Sequence, residues 1–253
     1  RSICVDCAGR GRGNLFGSAR AARPRQWGSV RVSAQTPVVT YAIIGVCVAL
    51  WVGDILTKGV ITQYLGFTPI HGLYQPWRIL TTAFLHVNLM HIAFNMVSLY
   101  AIGRALEPAL GRGPYFCLYL LSALGGTLGV LGWVLIDPSS ALTVTVGASG
   151  AIFGLFGSVF VLQRAAGIDV RAVVGLLAVN LLYGFIVSGV SWQAHLGGLI
   201  FGMLATWGML ALGKPRSGMT AKKQRRRLYL GIAGMFLAEL VILVVTYMVL
   251  LNI

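Results

Sequence analysis

The feature that most constrains the fold is a series of long apolar runs separated by polar connections. Seven runs come close to the length of about 20 residues that an α-helix needs to cross the hydrocarbon core of a bilayer. They lie roughly at 38–56, 88–106, 115–136, 149–164, 172–190, 192–212 and 229–250. Hydrophobic residues make up 57% of the chain and charged residues 10%, which excludes a soluble domain. Because lipid offers no hydrogen-bond partners to the backbone, the sequence predicts an all-α, polytopic membrane protein.

The net charge of +14 comes from Lys and Arg residues that lie in the connections. The segment 1–37 and the connection 213–228 are both strongly basic. The connections after spans two and four are also basic, with Arg104, Arg112, Arg164 and Arg171. Those after spans three and five contain no Lys or Arg. This alternation follows the positive-inside rule and predicts a multi-pass plasma-membrane protein with a cytoplasmic N-terminus and an outer C-terminus. Attraction to anionic lipid explains the charge, so no nucleic-acid partner is expected.

The connection between spans one and two, residues 57–87, is longer than the others and aromatic. Its Lys and Arg residues are Lys58 and Arg78. Its aromatic residues include Tyr64, Phe67, Tyr74, Trp77 and Phe84. This composition is typical of the membrane interface. We expect the segment to lie there on the outer side, and an ordinary interfacial loop without a further role is the alternative.

The four cysteines do not indicate a disulfide framework. Cys47 and Cys117 fall within spans and are interpreted as packing residues. Cys4 and Cys7 form a C-x-x-C pair in the basic linker 1–37, where a disulfide is disfavoured if the segment is cytoplasmic. A structural zinc site needs about four ligands. The pair therefore predicts at most the trailing half of a zinc module whose remainder would precede Arg1, and no cofactor is expected in the membrane core.

Ser149 and His195 are the candidate nucleophile and base. Ser149 lies in the run 147–150 (Gly-Ala-Ser-Gly) at the head of span four, and His195 lies near the outer end of span six. Both spans run in the same direction, so the two side chains are expected at similar depth. Small-residue stripes let helices approach closely, and both spans carry one, made of Gly150, Gly154 and Gly157 in span four and Gly198 and Gly202 in span six. A hydroxyl beside an imidazole predicts nucleophilic catalysis, although glycines that serve only helix packing remain the alternative.

Span two supplies a candidate oxyanion site. His91 and Asn95 are four residues apart, so they share a helix face and can donate to one point. Backbone N–H groups at the start of span four, near Ser149, add further donors. Such donors stabilise a tetrahedral oxyanion, whereas a hydrogen-bonded bridge between helices is the alternative. His86 lies off this face and is expected at the mouth of the span.

The acidic residues favour a dyad over other mechanisms. They are Asp6, Asp54, Glu107, Asp137, Asp169 and Glu239. None is predicted near Ser149 or His195 within a span, so a Ser-His dyad is expected and a Ser-His-Asp triad is not. An aspartyl protease needs two aspartates that share a site, and a zinc protease of the familiar type needs H-E-x-x-H. The sequence offers neither.

Taken together and in order, these motifs resemble the rhomboid family of intramembrane serine proteases. The residues that carry the resemblance are Trp77-Arg78, His86, His91, Asn95, Gly103, Glu107, Gly111, the run 147–150, His195, Gly198 and Gly202. The resemblance covers about residues 38–212 and implies a six-helix core in which Ser149 attacks the scissile carbonyl and His195 acts as base and acid. It implies that His91, Asn95 and the Ser149 backbone N–H line the oxyanion site and that His86 helps to hold water. It also implies that Phe153 packs on the catalytic histidine.

The resemblance further implies the substrates and the role of the C-terminal part. Expected partners are the lipid bilayer and single-span transmembrane substrates, cut near the outer face after entry past span five. The basic connection 213–228 and the seventh span, in 229–253, extend the core as in bacterial and eukaryotic six-plus-one members, and the C-x-x-C segment is similar to bacterial members with a cytoplasmic zinc module. No role is predicted for Glu239, and the oligomeric state stays open. A proteolytically inactive rhomboid-like chaperone and a transporter are the competing hypotheses.

Overall fold

The structure is a computed structural model that describes residues 36–187 and 189–252, together with the backbone of 26–27 and 30–31. Cys4 and Cys7 lie outside these residues. Two short strands, β1 (Gln26–Trp27) and β2 (Val30–Arg31), pair antiparallel. The other regular secondary structure elements of the described chain are helices, which confirms the all-α class. The helices are α1 (Val38–Leu56), α2 (Val60–Leu65), α3 (Pro69–Gly72), α4 (Arg78–Thr81), α5 (Leu89–Leu110), α6 (Arg112–Val134), α7 (Ser149–Ala165), α8 (Arg171–Ile186), α9 (Trp192–Gly213) and α10 (Ala221–Leu250).

Seven of these helices occupy the seven predicted apolar segments. Within the described residues, α1, α5, α6, α9 and α10 are long and apolar enough to cross a membrane, while α7 and α8 are apolar but shorter. The protein is therefore a multi-pass membrane protein. The largest difference from prediction is at α10, which begins at Ala221 rather than 229, so the expected loop 213–228 is partly helical. The Thr220 hydroxyl caps this helix by accepting from the Lys223 backbone N–H, and Lys, Gln and Arg are good helix formers that extend it beyond the apolar segment.

Helix α6 lies at the centre of the bundle, against α7, α9 and α10. Of its most apolar 18 residues, 72% are buried inside the protein, compared with 17% for α1 and for α10. Glycines on α6 permit this close packing: a Cβ at Gly126 would lie 3.1 Å from the Ala194 carbonyl oxygen, and one at Gly129 would contact the Gln193 carbonyl oxygen. Cys47 is buried in the adjoining core and Cys117 packs against it, consistent with their interpretation as packing residues.

The two ends of the bundle differ in charge. Hydrogen bonds and close packing place the start of α1, the end of α5 and the start of α10 at one end of the bundle. The connection 57–87 and the starts of α7 and α9 lie at the other end. Among the described Lys and Arg side chains from residue 36 onward, only Lys58 and Arg78 lie at the second end. This asymmetry agrees with the charge pattern from which the membrane orientation is predicted.

The connection 57–87 folds into the short helices α2, α3 and α4 and a 3-10 helix at Thr82–Phe84. Arg78 is buried inside it and donates to the Gly66 carbonyl oxygen at 2.6 Å. Trp77 is half exposed, and its indole N–H donates to the Tyr64 carbonyl oxygen at 3.2 Å. Phe67, unlike Trp77, is fully buried inside the protein. Its ring packs in a core cluster with residues of α6, α9 and α10, and its backbone pairs with Thr145.

Candidate active site

Ser149 and His195 meet inside the bundle. Ser149 is the first residue of α7, and His195 lies in the first turn of α9, 6% exposed. The Ser149 Oγ and His195 Nε2 atoms are 2.9 Å apart, within hydrogen-bond distance. The expected approach of spans four and six is therefore present in the structure, and it brings a hydroxyl against an imidazole.

The glycine stripes account for this approach. A Cβ at Gly198 would collide with the Gly150 backbone, and one at Gly202 would collide with the Gly154 backbone. Side chains at either pair would force α7 and α9 apart. Gly157 continues the stripe on α7. A Cβ at Gly157 would lie 2.7 Å from Met203 Cγ.

Gly147 leaves room for a third side chain at the site. Its φ is +139°, a conformation that L side chains rarely adopt. A Cβ at this position would lie 2.8 Å from His91 Nε2 and 3.5 Å from Ser149 Oγ. The His91 ring and the Ser149 hydroxyl thus border the same small space, which only a glycine at 147 leaves open.

Phe153 lies one turn along α7 from Ser149 and stacks on the His195 ring. The ring centroids are 4.2 Å apart and the planes differ by 10°, as the family resemblance implies. Phe153 also packs with Val173 and Leu177 of α8. The Phe153 ring thus contacts both the imidazole and α8.

The other predicted polar residues surround the hydroxyl less directly. Asn95 is buried, and its amide donates to the His91 carbonyl oxygen at 2.8 Å, which leaves one further N–H to donate. His86, in the connection before α5, is 2% exposed and packs edge-on against the His91 ring with centroids 5.0 Å apart. Burial, with a smaller contribution from His91, lowers the pKa of His86 to about 3, so its ring is neutral. Neither His86 ring nitrogen has a hydrogen-bond partner among the described residues.

The second nitrogen of His195 faces an apolar wall. Its Nδ1 atom is buried and has no hydrogen-bond partner in the part of the chain that the structure describes. A Cβ at Gly184 of α8 would lie 3.4 Å from this atom. Within that part of the chain, no carboxylate completes a triad with His195.

Sequence reasoning missed the role of α6 in this site. Gly126 of α6 lies against Gly150, just after the nucleophile, and against Ala194, just before His195. Gly197 of α9 in turn packs on the backbone of Gly125 and Gly129. The sequence signal was the run Gly125-Gly126 followed by Gly129, a small-residue stripe of the same kind as those recognised in α7 and α9.

The fold and this site together define a polytopic membrane protein that holds a serine–histidine pair inside its helix bundle. The sequence model described as "Rhomboid domain" matches residues 74–212, more than half of the chain and all of the site residues from Trp77 to Gly202. The chain belongs to the rhomboid family.

Relatives in bacteria and in a plant support this assignment. The rhomboid protease GluP of Bacillus subtilis (strain 168) is 34% identical over 155 residues, which are 58% of this chain and 28% of GluP. The rhomboid-family protein YdcA of the same strain is 35% identical over 184 residues, 68% of this chain and 87% of YdcA. RHOMBOID-like protein 4 of Arabidopsis thaliana is 32% identical over 189 residues, 69% of this chain and 45% of that protein. The chain thus spans less than half the length of two of these three relatives.

Proposed function

We propose that the protein is an intramembrane serine endopeptidase that cleaves transmembrane segments of membrane proteins by a Ser-His dyad. The observation that carries this proposal is the 2.9 Å separation of Ser149 Oγ and His195 Nε2. A nucleophile within hydrogen-bond reach of its base is the arrangement that covalent catalysis by serine requires. Membership of a family that includes the rhomboid protease GluP supports the same reaction class.

In the proposed reaction, the Ser149 hydroxyl attacks the scissile carbonyl carbon and transfers its proton to His195 Nε2. The imidazole then donates that proton to the leaving amine, and water completes hydrolysis of the acyl-enzyme. Accepting at Nε2 requires that the neutral imidazole carry its proton on Nδ1. The stacked ring of Phe153 supports this role because it holds the imidazole in one plane. The arrangement has the nucleophile and base of a triad, with an aromatic contact in place of the orienting carboxylate.

The oxyanion would form where the first turn of α7 meets His91. The N–H groups of a helix's first turn have no acceptor within the helix, and Ser149 begins α7. They and the positive end of the helix dipole favour negative charge at this point. The proximity of His91 Nε2 to Gly147 and Ser149 supports a second donor, and the spare N–H of Asn95 supports a third.

The surroundings of the dyad support a transmembrane substrate. Helix α8 presents most of its apolar side chains outward, with only Val173, Leu177 and Gly184 buried. We propose that a single-span substrate enters past α8 and unwinds locally, because a hydrogen-bonded helix shields its carbonyl carbons from attack. The site lies at the end of the bundle with few Lys and Arg residues, which supports cleavage near the outer face of the plasma membrane.

A rhomboid-like chaperone without protease activity is the second candidate, because several plant relatives carry only the name RHOMBOID-like protein. Two observations favour the protease. Both dyad residues are present, and they are within hydrogen-bond distance. A transporter has no such observation in its support.

The test uses the full chain in proteoliposomes and a fluorophosphonate probe that reacts with activated serines. We expect the wild type to label and to cleave a single-span model substrate, and Ser149→Ala and His195→Ala to lose both activities by about a thousandfold or more. Ser158→Ala is the matched control, since Ser158 is a buried serine of α7 that bonds Thr206 away from the dyad. Cleavage that survives Ser149→Ala would exclude the dyad, and a wild type that binds substrate without labelling would favour the chaperone.

A further inference from the structure

The seventh helix touches the outer connection through one buried hydrogen bond. The Tyr247 hydroxyl, near the end of α10, donates to the Pro69 carbonyl oxygen in α3 at 3.0 Å. Tyr247 is 9% exposed, and Gly72 lies directly against its hydroxyl, with no room for a Cβ. α10 therefore holds α3 at a defined position.

From α3, a short series of contacts leads to the segment before the nucleophile. Phe67 lies just before α3, and a Cβ at Gly72 would be 2.7 Å from its ring. Its backbone N–H donates to the Thr145 carbonyl oxygen at 3.1 Å, and the Thr145 N–H donates back to the Phe67 carbonyl oxygen at 2.7 Å. Thr145 is four residues ahead of Ser149.

The segment before Ser149 depends on such contacts because it is not helical. After Thr143, whose N–H donates to Ser140, the backbone bonds of Thr145 and Gly147 go to Phe67 and Thr82 of the outer connection. The Thr82 hydroxyl donates to the Thr145 carbonyl oxygen, and the Gly147 N–H donates to the Thr82 carbonyl oxygen at 3.0 Å. The outer connection thus supplies the partners that hold Thr145 and Gly147 in place beside His91.

We propose that Tyr247 is a positioning residue for the nucleophile: by fixing α3, and through it the Phe67–Thr145 bridge, the seventh helix aligns the backbone that leads into Ser149. The proposal rests on the proposed function for its effect on reactivity. Its structural half, the coupling of Tyr247 to Thr145, stands independently of that function.

The experiment compares Tyr247→Phe with Tyr229→Phe in the full chain in proteoliposomes. The two substitutions are matched because both remove one hydroxyl from α10, and the Tyr229 hydroxyl lies against Gly113 at the opposite end of the helix. Amide hydrogen exchange at Thr145 and Gly147 reports the coupling. The maximal fluorophosphonate labelling rate and the probe concentration at half-maximal rate report reactivity and probe binding separately.

For Tyr247→Phe, we expect the rate of amide hydrogen exchange at Thr145 to rise by about three- to tenfold. We expect the maximal labelling rate to fall by the same factor, because each change reflects the loss of about one hydrogen bond. The half-saturating probe concentration and the melting temperature should stay close to those of Tyr229→Phe, which separates positioning from a general loss of stability. Gly72→Ala, which pushes Tyr247 and Phe67 away from α3, should reproduce both effects.

Three results would decide against parts of this scheme. Unchanged exchange at Thr145 in both Tyr247→Phe and Gly72→Ala overturns the coupling. Raised exchange with an unchanged labelling rate overturns the positioning role. A wild type that does not label at all contradicts the proposed function instead, and the exchange measurement then still decides whether Tyr247 and Thr145 are coupled.

Discussion

The protein contains two buried polar clusters at opposite ends of its bundle, and their hydrogen bonding differs. At the end with most of the basic residues, the Glu107 carboxylate accepts from the backbone N–H groups of Val39 and Thr40 at 2.9 and 2.8 Å and from the Thr40 hydroxyl at 2.8 Å. That cluster ties the start of α1 to the end of α5. At the other end, the cluster of Ser149, His195 and His86 leaves three ring nitrogens without partners among the described residues.

This difference is the one expected between a cluster that stabilises the fold and a cluster with the proposed catalytic role. A buried polar group normally has a partner, and a group left without one usually has another reason to be there. The Glu107 cluster stabilises the fold because its acceptors are filled by protein donors. The Ser149 cluster keeps hydrogen-bonding atoms available, as the proposed reaction requires of a site that binds water and a peptide group.

Of the substitutions that compare the two clusters, Glu107→Ala should lower the free energy of unfolding the most, and it should leave the reactivity of Ser149 unchanged. Loss of the carboxylate leaves two N–H groups and a hydroxyl without their acceptor, which we expect to cost about 2–4 kcal/mol in the free energy of unfolding. Unfolding in detergent measures this loss, and Glu107→Gln, which keeps one acceptor oxygen, should lose less. A reduced labelling rate in the folded fraction would mean that the two clusters are not separable.

Gly198→Ala should affect both stability and reactivity. The added Cβ meets the Gly150 backbone, so α7 and α9 must move apart, at a cost of about 1–3 kcal/mol. A shift of about 1 Å between Ser149 and His195 should lower the fluorophosphonate labelling rate by about 10- to 100-fold. Gly175→Ala on α8 is the control, since a Cβ there has no neighbour within 4 Å. Equal labelling by the two variants would show that helix spacing does not limit the site.

Phe153→Leu should have the smallest effect of the three substitutions, and it should change the labelling rate of Ser149 more than the stability of the protein. Leucine keeps the apolar contact with α8 but loses the stacked ring on His195, a contribution of about 0.5–1.5 kcal/mol for an aromatic pair. We expect the labelling rate to fall by about three- to tenfold with little change in melting temperature. Phe156→Leu, one turn further along α7, should label at the wild-type rate. If both variants label alike, the stacking has no role in the orientation of His195.

The sequence predicts the helices of this protein well because hydropathy reports directly which segments suit lipid. The predicted segments 38–56 and 192–212 correspond closely to α1 and α9. The meeting of Ser149 and His195 was also predictable, because glycine stripes on two helices mark the faces that approach each other.

The arrangement of the helices is harder to predict, since a helix that faces lipid and one that faces protein are equally apolar. Hydropathy therefore did not identify α6 as the central helix. The same limit applies to Phe67 and Tyr247, whose aromatic rings are typical of the membrane interface but are buried here. Their positions depend on contacts between residues far apart in the chain, such as Tyr247 with Pro69.

The length of α7 bears on where a substrate would be cut. Its 17 residues span about 26 Å at 1.5 Å per residue, less than the hydrocarbon thickness of about 30 Å. In the proposed orientation, with the far end of α7 at the inner membrane surface, Ser149 would lie below the outer surface. The irregular backbone before it would be tolerated at that depth because Phe67 and Thr82 supply hydrogen-bond partners to Thr145 and Gly147. A protease built in this way would select a peptide bond by its depth in the bilayer as well as by the residues beside it. Bilayer thickness would then be part of its specificity.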